Sequence, residues 1–159
     1  MNFAGWQGDH FTFEIGRREK RLLLEVLKLY PLVPSSHHRL TMSGDAAEAA
    51  PAQKLLNEAL AEQKHENKKQ LELMLNEGGR FTESDSGYRF ILSQHQLEWL
   101  LQVLNDIRVG SWLILGEPDE KKGKRSVVKL ESAVYLWAME LSGYFQSVLL
   151  EASGQREGG

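Results

Sequence analysis

Residues 93–116 read SQHQLEWLLQVLNDIRVGSWLILG, and this stretch predicts the central helix of the chain. Ser93 stands before the first turn with Gln96 three positions on, which is the spacing of a capping box. Gly116 and then Pro118 mark where the helix ends. Polar side chains occupy roughly a third of the circumference in its first turns, namely Gln94, His95, Glu98, Gln102, Asn105 and Asp106. In the last turns of the helix, apolar residues take the place of the polar ones on the same stripe. The helix is therefore expected to begin at the protein surface and to end surrounded by other elements.

The amide of Asn105, the carboxylate of Asp106 and the guanidinium of Arg108 form a cluster in the sequence where this helix passes from exposed to buried. One interpretation of this cluster is a ligand or partner site, to which Trp99 adds an aromatic anchor beside the polar stripe. The other is structural bracing, because buried polar groups need partners and often cap a neighbouring helix or bridge a loop. Asp106 shares its side of the helix with Gly110, where a neighbouring backbone can approach closely. The candidate binding residues are Glu98, Trp99, Asn105, Asp106 and Arg108.

Three more helices and two short strands are predicted on either side of the central helix. Residues 11–15 alternate apolar with polar side chains, and Tyr88–Leu92 is a second candidate strand that could pair with the first. Two strands alone are marginally stable, so such a ribbon needs helices to pack on. Apolar residues at helical spacing predict the further helices over 17–30, 46–77 and 126–150.

The predicted fold class is therefore mainly α, with about four helices in one bundle-like core and a small two-stranded antiparallel β ribbon. Residues 1–152 are expected to form a single helical domain, since domains of this length are common. The polar, Gly-rich residues 153–159 are expected to be a disordered tail.

The composition limits the compartment and the partners. The 159 residues carry a formal net charge of −3 and no cysteine, which excludes disulfides, thiolate metal sites and cysteine nucleophiles. Two basic runs, 17–21 and 121–125, are expected to be solvated surface, because a nucleic-acid interface usually shows a basic excess. Residues 1–15 lack the apolar segment of a secretion signal, and charges that are costly in a bilayer interrupt 97–115. A cytoplasmic protein without nucleic-acid or membrane partners is expected.

The sequence contains no signature of catalysis or metal binding. Glu62 and His65 form one Glu-x-x-His pair, whereas a di-iron bundle needs two such pairs and further carboxylates. His37 and His38 are adjacent, and no third ligand is evident for them. Nucleophile elbows and phosphate-binding glycine loops are absent. We therefore expect no catalytic residue, no metal and no cofactor, and enzyme activity is not the favoured function.

The central helix also resembles a known family. The segment Leu97–Arg108, with its Leu-Asn-Asp-x-Arg ending, resembles the signature of an uncharacterised bacterial family, domain of unknown function 2017. Arg39-Leu40 and Tyr135–Trp137 stand in the family's order, whereas 41–45 and 110–116 depart from its pattern, as in a distant member. The resemblance implies a helical fold in the bacterial cytoplasm and no assigned activity. Some members are encoded beside the adaptor of the Clp protease, which implies a link to regulated proteolysis.

Two functions and one mode of assembly are the hypotheses that the sequence supports. The first function is a non-enzymatic binding, adaptor or regulatory protein with a partner protein on residues 62–70, a helical stretch without an apolar face, or on the polar stripe over 94–106. The alternative is a small-molecule binder or an enzyme with its site around residues 105–108. The assembly is a homodimer whose interface the N-terminal aromatic residues would supply, namely Phe3, Trp6, Phe11 and Phe13.

Overall fold

Four helices and four strands make up the part of the chain that the structure, a computed structural model, describes: residues 1–33, 46–116 and 130–157. In chain order they are β1 (Asn2–Gln7), β2 (His10–Ile15), α1 (Arg17–Leu27), α2 (Ala46–Asn76), β3 (Phe81–Ser84), β4 (Gly87–Leu92), α3 (Gln94–Ile114) and α4 (Leu130–Glu157).

The strands form one antiparallel sheet in the order β1-β2-β4-β3. The predicted pairing of the two central strands is confirmed, with Phe13 opposite Phe90. The predicted two-stranded ribbon and the mainly α class are wrong, because two edge strands are added and the fold is α+β. Both edges lack a clear alternation of apolar and polar residues. The register of β1 shifts between Phe3 and Gly5, and β3 has four residues of which one is apolar.

One face of the sheet carries the core. Phe11, Phe13, Phe90 and Leu92 lie on this face and are completely buried. Helices α1, α3 and α4 contact the strands and one another. They contribute buried side chains that include Leu23, Leu104, Ile107, Phe145 and Leu149. Since burying a leucine or phenylalanine side chain contributes about 1.5–3 kcal/mol, this layer of helices on a sheet supplies most of the stabilisation.

The sequence predicts the start of α3 correctly but ends α4 too early. The capping box at the start of α3 is confirmed, because Ser93 Oγ accepts from Gln96 N at 3.1 Å and Gln96 Oε1 accepts from Ser93 N at 2.9 Å. Helix α4 continues to Glu157, so residues 153–157 of the predicted tail are helical. Ala152 is buried there, and the Arg156 guanidinium lies 5.4 Å from the centre of the Trp6 ring. Packing against the sheet thus extends the helix through a Gly-containing stretch.

The chain leaving α1 passes close to α3. At Gly110, a Cβ atom would lie 2.4 Å from Leu32 Cβ and 2.9 Å from the Leu32 carbonyl carbon. The expectation that a backbone approaches the central helix on the Gly110 side is therefore confirmed. Glycine is required there by space, since real Cβ atoms do not approach other atoms so closely.

Substitution of Gly110 by alanine is expected to destabilise the fold. The added methyl group overlaps the backbone of residue 32, and overpacking of this kind typically costs about 1–3 kcal/mol. The matched control is Gly143→Ala in α4, where the new Cβ would lie 4.0 Å from Arg108 Cδ, an ordinary contact. The free energy of unfolding of that variant is expected to stay unchanged or to rise by up to about 1 kcal/mol, because alanine favours helices. Urea unfolding of both variants gives the comparison, and equal effects at the two glycines would contradict the close approach.

A polar tie joins the start of β1 to α1 and α4. The amino group of Met1 donates to Glu19 Oε2 and, at 2.7 Å, to Tyr144 Oη, and Tyr144 Oη donates to the same Glu19 oxygen at 2.7 Å. Burial alone would raise the pKa of Glu19, but the hydrogen bonds from the amino group and from Tyr144 outweigh it and lower that pKa. Burial and the neighbouring Glu19 raise the pKa of Tyr144 to about 12.

The contribution of Glu19 to stability is expected to depend on pH. Because its pKa is lower in the folded state, the tie is fully present above the unfolded pKa of about 4.3 and is lost as the pH falls through the folded pKa. Glu19→Gln should therefore be less stable than the parent at pH 7, and the two should converge towards pH 3. Urea unfolding at pH 7, 5 and 3 tests this, with Glu151→Gln, at an exposed position, as control. A difference that stays constant down to pH 3 would argue against the tie.

Candidate functional site

A groove runs between α2 and α3, and we name it the α2–α3 groove. It consists of two adjoining cavities of about 340 and 320 Å³ that share Gln63, Asn67, Trp99 and Gln102. Gln70, Met74, His95 and Gln96 complete the first cavity, and Tyr30, Leu60, Lys64, Val103 and Asp106 complete the second. Parts of the two polar surfaces that the sequence predicts separately thus face each other. They are Gln63, Lys64, Asn67 and Gln70 on α2 and His95, Gln102 and Asp106 on α3.

The lining of the groove is polar but largely uncharged. Trp99 is half-buried and packs against the core, so one part of its ring faces the groove. Gln63, Gln70, Gln102 and His95 form no hydrogen bond with any residue in the described ranges. A primary amide both donates and accepts hydrogen bonds. The groove therefore offers free donors and acceptors on both walls beside an aromatic surface.

At one end of the groove, Asp106 holds the two walls together. Its Oδ1 accepts from Leu32 N at 2.7 Å and from Val33 N at 3.4 Å, and its Oδ2 lies 3.4 Å from Lys64 Nζ. Lys64 Nζ also donates to the Val33 carbonyl oxygen. The carboxylate therefore joins α3, the segment after α1 and α2. These contacts match the bracing interpretation, because Asp106 already has partners for both of its oxygens.

A second polar contact lies beside this end. Asn67 Nδ2 donates to Tyr30 Oη at 3.3 Å, which joins α2 to the segment after α1. Burial raises the pKa of Tyr30, the hydrogen bond from Asn67 opposes the rise, and the charge of Asp106 adds to it. Tyr30 is therefore a neutral hydroxyl group at physiological pH.

The other end of the groove is held by Arg80, a buried residue that the sequence does not single out. Its Nε donates to the Met74 carbonyl oxygen at 3.2 Å, and its Nη1 donates to the Ile91 carbonyl oxygen at 2.7 Å and to Gln96 Oε1 at 2.9 Å. Its Nη2 lies 2.7 Å from Glu77 Oε2. Arg80 therefore joins the end of α2 to β4 and to the start of α3. The signal in the sequence was an arginine just past a helix end, where free carbonyl groups accept hydrogen bonds.

The predicted binding residues do not form one site. Trp99 and Asp106 line the α2–α3 groove, whereas Arg108 lines a separate cavity between α3 and α4. Glu98 accepts a hydrogen bond from Gln94 at 2.8 Å and is exposed, as is Asn105. Residues two positions apart on a helix differ by about 200° in direction, which separates Asp106 from Arg108.

The N-terminal aromatic residues divide between core and surface. Phe11 and Phe13 are completely buried within the chain, Phe3 is half-buried, and Trp6 is 42% exposed. Two of the four rings proposed for a homodimer interface are thus not at the surface.

The other residues that the sequence analysis considered do not form a site in the described part of the structure. Glu62 and His65 are exposed on α2, while His37, His38 and the run 121–125 lie outside the described residues. In the described ranges, no group of three or more His, Cys, Asp or Glu side chains is placed to hold a metal ion. None of the helices there combines the length and hydropathy that crossing a bilayer requires.

Comparisons with protein-family models, with curated proteins and with solved structures find no significant match. The resemblance drawn from residues 97–108 therefore stays a prediction, and the function has to be inferred from the residues of this chain.

Asp106 and Arg108 are expected to respond differently to substitution. Asp106→Ala removes the acceptor of the Leu32 N–H and the partner of Lys64, and leaving such groups unpaired costs about 1–3 kcal/mol. Arg108→Met changes an exposed side chain and should stay within about 0.5 kcal/mol of the parent. Thermal and urea unfolding measure both. Similar losses in the two variants would show that the bracing is not specific to Asp106.

Proposed function

We propose that this chain is a non-enzymatic binding module, an adaptor or regulatory protein, that holds a short extended segment of a partner protein in the α2–α3 groove. The observation that carries the proposal is the set of free amide side chains on both walls around the half-buried Trp99. An extended peptide presents N–H and C=O groups along its length, and side-chain amides can pair with both. The Trp99 ring supplies the apolar surface on which one side chain of the partner packs.

The length of the groove suits a few residues of extended chain. The residues of α2 that line it run from Leu60 to Met74 and span about 21 Å at a rise of 1.5 Å per residue. An extended peptide advances about 3.3 Å per residue, so about six residues match this length. The two cavity volumes lie at the lower end of the range of about 300–1,000 Å³ that is usual for ligand sites.

The charges of the lining favour a peptide over a nucleic acid. Among the lining residues that the structure describes, Lys64 is the one lysine, and it is engaged by Asp106 and by the Val33 carbonyl group. A phosphate backbone needs several free cations for its affinity. A neutral polypeptide segment is therefore the partner that fits.

Both ends of the groove are held by polar contacts before any partner binds. Asp106 and Lys64 join α2 to α3 at one end, and Arg80 joins them at the other. A site whose walls are already placed loses less conformational entropy on binding, which favours affinity.

The compartment and the pathway belong to the same proposal. We place the protein in the bacterial cytoplasm with a role in regulated proteolysis, and these two points rest on the family resemblance alone. An adaptor in such a system must hold a segment of another protein, which is what the groove is proposed to do. The alternative, an enzyme or small-molecule site formed jointly by residues 105–108, has less support because Asp106 and Arg108 line different cavities.

Blocking the groove is expected to abolish peptide binding without unfolding the protein. Gln63 and Gln102 are exposed residues on opposite walls, so arginine at both positions fills the groove at little cost to stability. The probe is a displayed library of random heptapeptides selected on the parent protein, followed by fluorescence anisotropy with the enriched peptides. The Gln63→Arg/Gln102→Arg variant should bind at least about tenfold more weakly, or 1.4 kcal/mol.

The matched control is Gln155→Arg, at an exposed position near the end of α4 and away from the groove lining. It should bind the enriched peptides as the parent does. If no peptide is enriched, or if the enriched peptides bind the blocked variant as tightly as the parent, the groove is not a peptide site. Self-association of the parent, detected by sedimentation and lost in the blocked variant, would also overturn the proposal by making the groove a homodimer interface.

A further inference from the structure

A further cavity lies on another side of α3, between this helix and α4, and we name it the α3–α4 pocket. Its volume is about 440 Å³, and it is lined by Arg108, Val109, Trp112, Met139, Glu140 and Gly143. This volume is within the range of about 300–1,000 Å³ that is usual for small-molecule sites. Peptide binding in the α2–α3 groove makes no use of it.

The pocket contains two opposite charges without partners. Arg108 comes from α3 and Glu140 from α4, and neither forms an ion pair or hydrogen bond with any residue that the structure describes. The Arg108 side chain passes beside Gly143, whose added Cβ would lie 4.0 Å from Arg108 Cδ. The absence of a side chain at Gly143 therefore leaves open space next to the guanidinium stem.

The rest of the pocket is apolar. Val109 and Met139 are half-buried, and Trp112 is 38% exposed, so an indole ring forms part of the accessible wall. Apolar surface of this kind favours a ligand that brings its own hydrophobic group, because removing apolar area from water contributes about 25 cal/mol per Å².

We propose that the α3–α4 pocket binds a free amino acid with a large apolar side chain. The α-carboxylate pairs with the Arg108 guanidinium, whose fork of N–H groups matches two carboxylate oxygens. The α-ammonium group pairs with the Glu140 carboxylate, and the side chain packs against Val109, Trp112 and Met139. A zwitterion is the ligand class that neutralises both charges at once.

Ligands with a single charge fit the pocket less well. An apolar carboxylate, such as a fatty acid, pairs with Arg108 but places its apolar body beside an unpaired Glu140. An apolar amine does the reverse. Each pairs with only one of the two exposed charges, so the other contributes nothing to binding. The same reasoning separates a free amino acid from the end of a peptide, because a peptide terminus carries only one of the two charges.

Calorimetric titration with L-leucine and two analogues tests the ligand class. N-acetyl-L-leucine lacks the ammonium charge and L-leucinamide lacks the carboxylate, while both keep the side chain. L-Leucine should bind saturably, and each analogue should bind at least about tenfold more weakly. L-Phenylalanine and L-tryptophan extend the series to larger side chains. Failure of all three amino acids to bind up to about 10 mM would overturn the proposal, as would an analogue that binds as tightly as L-leucine.

Two variants test which protein charge pairs with which charge of the ligand. Arg108→Met should remove the preference for L-leucine over L-leucinamide, since the carboxylate no longer has a partner. Glu140→Gln should remove the preference for L-leucine over N-acetyl-L-leucine. Arg89→Met, at an exposed arginine on β4, is the matched control and should bind as the parent does. If either preference survives in its variant, the assigned pairing is wrong. Peptide binding in the α2–α3 groove is measured separately, so either proposal can fail alone.

Discussion

The close approach of residues 32–33 to α3 is the constraint on which the rest of the arrangement depends. The two backbone N–H groups reach Asp106, and Gly110 supplies the space that lets Leu32 lie against the helix. This contact redirects the chain after α1 and places the Val33 carbonyl group where Lys64 can donate to it. Because Lys64 also pairs with Asp106, the position of α2 follows from the same contact. A single carboxylate and a single missing side chain thus set the spacing of three segments.

The groove exists because α2 lacks a continuous apolar face. Leu71 and Met74 are buried near its end, whereas Leu55 and Leu73 are 68% and 73% exposed. A helix with a continuous apolar stripe would pack its length against α3 and close the space between them. Here the middle of α2 carries amides and lysines, so polar contacts at the two ends determine its distance from α3. The same polarity that weakens packing leaves the hydrogen-bonding groups free.

The sequence predicts the parts of the fold that depend on local signals. The capping box of α3, the β2–β4 pairing and the close approach at Gly110 are all visible in single residues or short periodic runs. The edge strands are not, because a register shift in β1 and the polar composition of β3 remove the alternation. The two polar surfaces are predictable one at a time, but their meeting across a groove depends on tertiary contacts such as those of Arg80. No periodicity reports such contacts.

Both proposed sites use α3 as one wall, but they differ in how the opposite wall is held. The core-facing residues Leu97, Leu104 and Ile107 are completely buried, so α3 cannot rotate without disturbing the core. Helix α4 is anchored in that same core through Phe145 and Leu149, so packed side chains fix both walls of the α3–α4 pocket. Helix α2 is instead held against α3 by hydrogen bonds and an ion pair at the two ends of the groove. These contacts keep the two walls apart without filling the space between them, so the amide side chains there stay free to pair with a peptide.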